Sequence, residues 1–375
     1  MDEEKPGFFE QLRQLYQNRE KIESKIVGFH MQKQFKISHL YGNEEQINCM
    51  DLIDISENES FIIVCSDAKI KLYSHTTKLD KLFEFVIQFE ANEHLDYDGL
   101  KNEKQKKFLR HSKQLTTGPV KELIMFCHFG YIHDQLYVFA AGDLGYVYQI
   151  EIKENPEYFL LEGHHNVITG LASNNKGVFS SSKDGSIIQW DVTNRQIVQV
   201  LRDGDTPEAE VLCVSANQEH IIGAYSDGKL KLWTIQDYKN DSWTYKINKQ
   251  PTIIFQGPLQ DIYPHITQIF LLKQTIVTKH LNGILNYFVF DLQGRTISLR
   301  DWEMSNENYW ESIDVKFPYL IYTCFNRMQV ITLKKNKLTY EAELDVLPSS
   351  KLTISKISNR LIVIGRMNQY TILQQ

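Results

Sequence analysis

Histidine and cysteine are the side chains through which this chain could most readily hold a metal ion or act as a nucleophile, and neither type is spaced for that work. His128, His133 and the adjacent pair His164-His165 form no His-Glu-x-x-His motif and no Cys/His cluster. Cys49, Cys65, Cys127, Cys213 and Cys324 are far apart, odd in number, without a Cys-x-x-Cys pair, and fall mostly in apolar strand-like runs. That pattern predicts buried, reduced thiols rather than disulfides or metal ligands. A Gly-x-Ser-x-Gly elbow, a Walker-type loop and a kinase signature are all absent. The expectation is a protein that is not an enzyme, with no catalytic residue, cofactor or metal.

Binding chemistry is better represented. Residues 101–113 hold six Lys/Arg against one Glu, with Lys104, Lys106, Lys107 and Arg110 around Phe108. Such a run is either a solvated loop or a surface for docking an acidic partner, nucleic acid or the acidic face of another subunit. The turn formers Asp237 to Ser242 lead into Trp243 and Tyr245, either extra strand at a sheet edge or an exposed aromatic anchor. Phe8, Leu12, Leu15, Ile22 and Ile26 recur at helical spacing between Pro6 and Gly28. This predicts a helix within residues 1–28 that packs on its own domain, receives a partner or lies on a membrane surface. Its nearly balanced charge suits anionic lipid poorly.

The elements that would carry these residues repeat. Asp184-Gly185 separates the apolar run Gly177-Val178-Phe179 from the alternating stretch Ser186 to Trp190, which reads as two antiparallel strands about a tight turn. Ser226-Asp227-Gly228 followed by Trp233 repeats the pattern, and Ser66-Asp67-Ala68 followed by Tyr73 repeats it with Tyr for Trp. Weaker copies surround Asp143, Asn282, Asn326 and Asn368. From Asp143 onward the turns are 41, 43, 55, 44 and 42 residues apart, and all but one interval match the ~40–45 residues of a four-stranded blade.

Segment 163–191, from Gly163-His164 to Trp190-Asp191, resembles one blade of the WD-repeat β-propeller family. The resemblance implies a structural tetrad of His164, Ser182 (or its neighbour Ser181), Asp184 and Trp190, hydrogen-bonded to tie a blade together and without a catalytic part. It implies an all-β propeller fold, and the seven turn positions, counting Asp67, imply seven blades: a seven-bladed β-propeller over residues 33–375, with a charged insertion at about 90–118 and the helical extension at 1–28. The last blade supplies three strands, and the stretch Gln34 to Leu40 is expected to complete it and close the ring. The later blades depart from the pattern, with Phe288, Thr332 and Gln374 at the Trp position.

With 375 residues and 42% hydrophobic content, the chain can bury a large core. The acidic start Met1-Asp2-Glu3-Glu4 is unlike a presequence, and no apolar run approaches the ~20 residues of a membrane span. The expected address is the cytoplasm, with nucleus or cilium also open. A net charge of -6 supplies no general affinity for phosphate backbones. The expected function is a protein-protein interaction scaffold, a subunit bound to other protein subunits. The alternative is a transient adaptor that captures a peptide or modified tail for a separate enzyme such as a ubiquitin ligase.

Overall fold

Strand is the only regular secondary structure among the described residues. The computed structural model describes residues 36–42, 46–76, 78–89, 120–153, 155–236, 246–247, 251–256, 266–272, 275–280, 285–290, 296–302, 312–316, 319–324, 327–334, 337–345, 353–358, 361–366 and 369–374. The expected helix over 1–28 and the insertion at 90–118 lie outside them.

These strands form seven antiparallel sheets of at least four strands, each but the last built from consecutive segments. The first comprises Ile47–Asp54, Ser60–Ser66, Lys69–His75 and Leu79–Val86. The second comprises Ile124–Ile132, Gln135–Gly142, Val147–Glu151 and Tyr158–Leu161, and the third Ile168–Asn174, Gly177–Ser182, Ser186–Asp191 and Gln196–Arg202. In the fourth, Val211–Ala216 and His220–Tyr225 precede Lys229–Gln236, whose outer edge pairs with both Lys246–Ile247 and Thr252–Gln256. The fifth is Ile266–Leu272, Thr275–His280, Leu285–Phe290 and Thr296–Trp302. The sixth is Ser312–Lys316, Tyr319–Cys324, Arg327–Lys334 and Lys337–Asp345. The seventh joins the two ends of the chain: Thr353–Ile357, Leu361–Arg366 and Gln369–Gln374 are completed by Lys36–Gly42, which runs antiparallel with Tyr41 opposite Tyr370. A two-residue ladder, Gln88 opposite Lys121 and Phe89 opposite Val120, draws together the ends of the segment between the first and second sheets.

Burial follows strand position. The second strands Ser60–Ser66, Gly177–Ser182 and His220–Tyr225 are buried at every residue, whereas the outer strands Leu79–Val86 and Gln196–Arg202 are largely exposed. A strand covered on both faces needs no alternation, which explains the unbroken run Phe61-Ile62-Ile63-Val64-Cys65. Apolar side chains fill the spaces between neighbouring sheets. Cys49, Ile63, Ile124 and Val138 fill the space between the first and second sheets, and Phe139, Val178, Ile188 and Trp190 that between the second and third. Phe179, Ile187, Val214 and Trp233 lie between the third and fourth; Met50, Val64, Leu361 and Val363 join the first to the seventh.

The turns follow from backbone sterics. Gly185 and Gly228 have φ of 82 and 79, a left-handed conformation that glycine adopts without the clash of a Cβ. The loop is one residue longer than the tight turn expected at Asp184-Gly185. Lys183-Asp184-Gly185 connects the strands, and the Gly185 N–H donates to the Ser182 carbonyl at 3.2 Å. A Cβ on Gly185 would sit 3.0 Å from the Pro207 carbonyl oxygen, so the turn of the third sheet rests against the chain entering the fourth.

Side-chain hydrogen bonds pass from each innermost strand to the next. Asp51 Oδ2 accepts from the Phe129 N–H at 2.8 Å, and His128 Nε2 meets Ser173 Oγ at 2.9 Å. Thr169 Oγ1 donates to the Val211 carbonyl at 2.7 Å, and Ser215 Oγ accepts from the Leu271 N–H at 3.1 Å. Gln268 Oε1 accepts from the Ile313 N–H at 3.2 Å, and Asp314 Oδ2 from the Ile357 N–H at 2.8 Å. Lys356 Nζ then lies 3.5 Å from Asp51 Oδ1.

Candidate functional site

The first constellation is built on the third sheet. His164 precedes its inner strand, Ser180 lies on the second strand, Asp184 is in the turn and Trp190 on the third strand. Trp190 Nε1 donates to Ser180 Oγ at 2.7 Å, His164 Nε2 lies 2.8 Å from the same oxygen, and His164 Nδ1 lies 3.0 Å from Asp184 Oδ2. One tautomer satisfies these three contacts: Nδ1–H donates to Asp184, and Nε2 accepts the Ser180 hydroxyl proton. The Asp184 carboxylate also accepts from the His165 and Ser186 N–H groups at 2.9 Å each. Burial alone would raise its pKa, but His164, Ser186 and these amides hold it well below the usual carboxylate range.

The serine in this chain is Ser180, not the Ser182 or Ser181 expected from the motif. Successive strand residues face opposite ways, and two residues along a strand span about 6.6 Å. Ser182 therefore stands at the turn, where its Oγ donates to the Asn166 carbonyl and accepts from the Asp184 N–H. Ser181 faces the other way, onto Thr169 Oγ1 at 3.0 Å.

Serine, histidine and aspartate in this order are the groups of a nucleophilic triad, and burial denies them that chemistry. Ser180 is completely buried, and the Trp190 indole N–H already occupies its oxygen. The arrangement can brace a sheet.

The fourth sheet solves the same position differently. Gly223 stands ten residues before Trp233, as Ser180 does before Trp190, and a Cβ there would meet Ile187 Cδ1 at 2.9 Å and Tyr225 Cε2 at 3.1 Å. Trp233 Nε1 consequently has no hydrogen-bond partner among the described residues. The polar centre moves to Lys231, wholly buried, with Nζ 2.6 Å from Asp203 Oδ2, 2.9 Å from Thr206 Oγ1 and 3.6 Å from Asp227 Oδ2. The ammonium also lies 3.7 Å from the centre of the Tyr225 ring. Burial would raise the Asp203 pKa, but Lys231, the Asp205 N–H and Thr206 pull it down to about 2.

In the second sheet the buried Glu122 accepts the Tyr148 hydroxyl and, at 3.3 Å, the Leu144 N–H. Burial pushes its pKa up to about 8, aided by the Asp143 charge.

A half-open charged group lies on the innermost strands of the first, second, sixth and seventh sheets. Asp51 faces His128 Nδ1 at 3.2 Å and Lys356 Nζ at 3.5 Å, and Lys356 lies 3.9 Å from Asp314. Burial disfavours the Lys356 ammonium, yet Asp314 and Asp51 hold its pKa above the usual lysine value. None of these residues stood out in the sequence, because no local motif marks them. Apolar side chains are exposed on outer strands: Leu82 and Val86 on the first sheet, Tyr158 on the second, Ile197 and Val200 on the third.

Of the residues singled out from the sequence, His164, Asp184 and Trp190 are brought together. Lys104, Lys106, Lys107, Phe108, Arg110, Trp243, Tyr245, Phe8, Leu12 and Leu15 lie outside the described residues.

Comparison with known proteins bears on the same segments. The family model described as WD domain, G-beta repeat matches residues 34–74 and 155–191, the latter containing His164, Ser180, Asp184 and Trp190. The chain carries WD repeats. The Polycomb group protein FIE1 of Oryza sativa subsp. japonica is 30% identical over 131 residues, 32% of this chain and 28% of that protein. The shared stretch thus spans under a third of either protein.

Proposed function

We propose that the seven sheets are seven blades of one closed propeller over residues 33–375, sealed by the pairing of Lys36–Gly42 with Gln369–Gln374, and that this disc is a non-enzymatic scaffold within a multiprotein assembly. The observation that carries the reading is the succession of side-chain links from one innermost strand to the next, from Asp51 through Ser173, Val211, Ser215, Gln268 and Asp314 to Lys356 and back to Asp51. Side chains tying every sheet to its neighbours give a rigid body, and rigidity lowers the ordering cost of binding. WD repeats and the Polycomb group name of the rice relative support membership of a complex, and the name favours the nucleus beside the cytoplasm. Partner subunits would meet the exposed outer strands and, as separate surfaces, Phe8/Leu12/Leu15, the basic segment 101–113 and Trp243/Tyr245.

Affinity purification of the tagged protein from its own cells, at low and high salt and followed by size-exclusion and mass spectrometry, tests this. A defined set of proteins retained at high salt is expected. A protein running alone near 44 kDa, its partners lost as salt rises, would replace the scaffold with the transient adaptor.

A further inference from the structure

Three of the chain's cysteines converge at one place. Cys49 lies directly opposite Cys65 in the first sheet, and Cys127 approaches both from the inner strand of the second. Their Sγ atoms all lie within 4.8 Å of one another. Cys49 and Cys65 are buried and Cys127 is half-buried, and all three are free thiols. They sit among Ile63, Ile70, Ile124 and Ala140, an apolar setting that no other ligating side chain enters within the same spacing among the described residues.

We propose that Cys49, Cys65 and Cys127 form a three-coordinate thiolate site for a soft monovalent cation, Cu(I). The geometry suits it. A metal–thiolate bond of about 2.3 Å places the sulfurs of a trigonal site about 4 Å apart, inside the observed spacing. Ligand number and softness choose the ion. Zn(II) requires a fourth donor to complete its tetrahedron, and the hard cations require oxygen, whereas three soft thiolates satisfy Cu(I).

Three thiols and one Cu(I) become a complex of net charge -2 while three protons leave to solvent, with no change of oxidation state. Lys356, held charged between Asp51 and Asp314, acts on Cys49 as a stabilising cation. Burial raises the pKa of all three thiols, and Asp51 adds to the rise at Cys65 and Cys127, so their protons leave only in exchange for metal–thiolate bonds. Cys127, the least buried of the three, gives the route of entry.

The ion would also staple the first sheet to the second, since Cys127 is the one ligand contributed by the second. Binding should therefore raise the melting temperature of the whole chain by mass action.

The experiment is anaerobic titration of the reduced full chain with Cu(I) against a colorimetric Cu(I) chelator, with X-ray absorption on the loaded protein. One tightly held copper per chain, three sulfur neighbours and a rise in melting temperature are expected. The Cys127→Ser variant should lose at least tenfold in affinity and show two sulfurs, while Cys213→Ser, altering a buried thiol on the fourth sheet, should bind as wild type does. Circular dichroism on each apo variant separates misfolding from lost ligation. Should Cys127→Ser misfold, alkylation decides: copper must slow the reaction of Cys127, the least buried of the three thiols, with iodoacetamide in the wild type. Less than one copper per chain, equal affinities for the two variants, or a Zn(II) complex with a fourth light donor that outcompetes Cu(I), would each overturn the proposal.

Discussion

The indole of Trp190 and the imidazole of His164 meet on one oxygen, Ser180 Oγ, at 2.7 and 2.8 Å. The serine hydroxyl thus accepts one proton and gives one, so both rings lock each other across the middle of the third sheet. Trp233, at the matching place in the fourth sheet, buries its indole without such an acceptor among the described residues. The pair provides an internal comparison. Trp190→Phe should cost about 1 kcal/mol more than Trp233→Phe, the difference being the hydrogen bond, since both lose similar volume. Urea unfolding of the two variants measures it, and equal losses would show that the Ser180 bond contributes nothing net.

Lys231 has no water to fall back on. Its ammonium is neutralised by Asp203 and Asp227 and steadied by Thr206. Lys231→Met keeps most of the volume but leaves two carboxylates facing each other, and removing one partner of a buried pair costs about 3–5 kcal/mol. Lys231→Met combined with Asp203→Leu should recover part of that loss. A single variant as stable as wild type would refute the pairing.

These two sites show what was legible and what was not. Asp184-Gly185 and Asp227-Gly228 announced their turns because a left-handed residue there selects glycine. The three consecutive serines Ser180, Ser181 and Ser182 are chemically alike, and register alone separates them: Ser180 lies opposite Ile188, one pleat from the Val178–Trp190 pair. Lys229 and Lys231 alternate with Leu230 and Leu232 as in a half-exposed strand, yet Lys231 is wholly buried. The cysteine cluster depends on two strands of one sheet and a third from its neighbour, with Cys65 and Cys127 62 positions apart. Spacing along the chain carries no trace of such a contact.

Glu122 makes stability depend on pH in a definite direction. Its ordinary pKa of 4.5 rises to about 8 in the folded protein, so the native state holds a proton that the unfolded state has released. The associated stability is complete below about pH 4.5 and is lost as pH rises toward 8. Glu122→Gln, which cannot ionise, should gain on wild type steadily across that window. Melting temperatures at intervals from pH 5 to pH 8.5 report the difference, and a pH-independent gap between the two proteins would contradict a buried Glu122 that keeps its proton in the folded state.

Gly185 and Gly204 differ in what surrounds a methyl group. At Gly185 the backbone is left-handed and a Cβ would press on the carbonyl oxygens of Pro207 and Ala209 at 3.0 and 3.1 Å, while nothing lies within 4 Å at Gly204. Gly185→Ala should cost at least about 1–2 kcal/mol, and Gly204→Ala a few tenths at most. Thermal unfolding of both checks the claim that the turn seats one sheet on the next.

Asp51 is where the succession of links between inner strands returns to its start. Its carboxylate takes the Phe129 N–H of the second sheet, the His128 imidazole and the Lys356 ammonium of the seventh. Burial opposes its ionisation, but Lys356 and His128 hold its pKa well below the ordinary value. Asp51→Leu leaves both the amide and the ammonium without this acceptor and should destabilise by about 3 kcal/mol or more. Asp51→Asn keeps an oxygen for Phe129 and gives up the charge, so its loss should be smaller and should shrink as salt is raised. If the first and seventh sheets were joined by apolar packing alone, both variants would unfold at the wild-type denaturant concentration. An intermediate cost for Asn and a larger one for Leu would instead apportion the junction between its hydrogen bond and its ion pair.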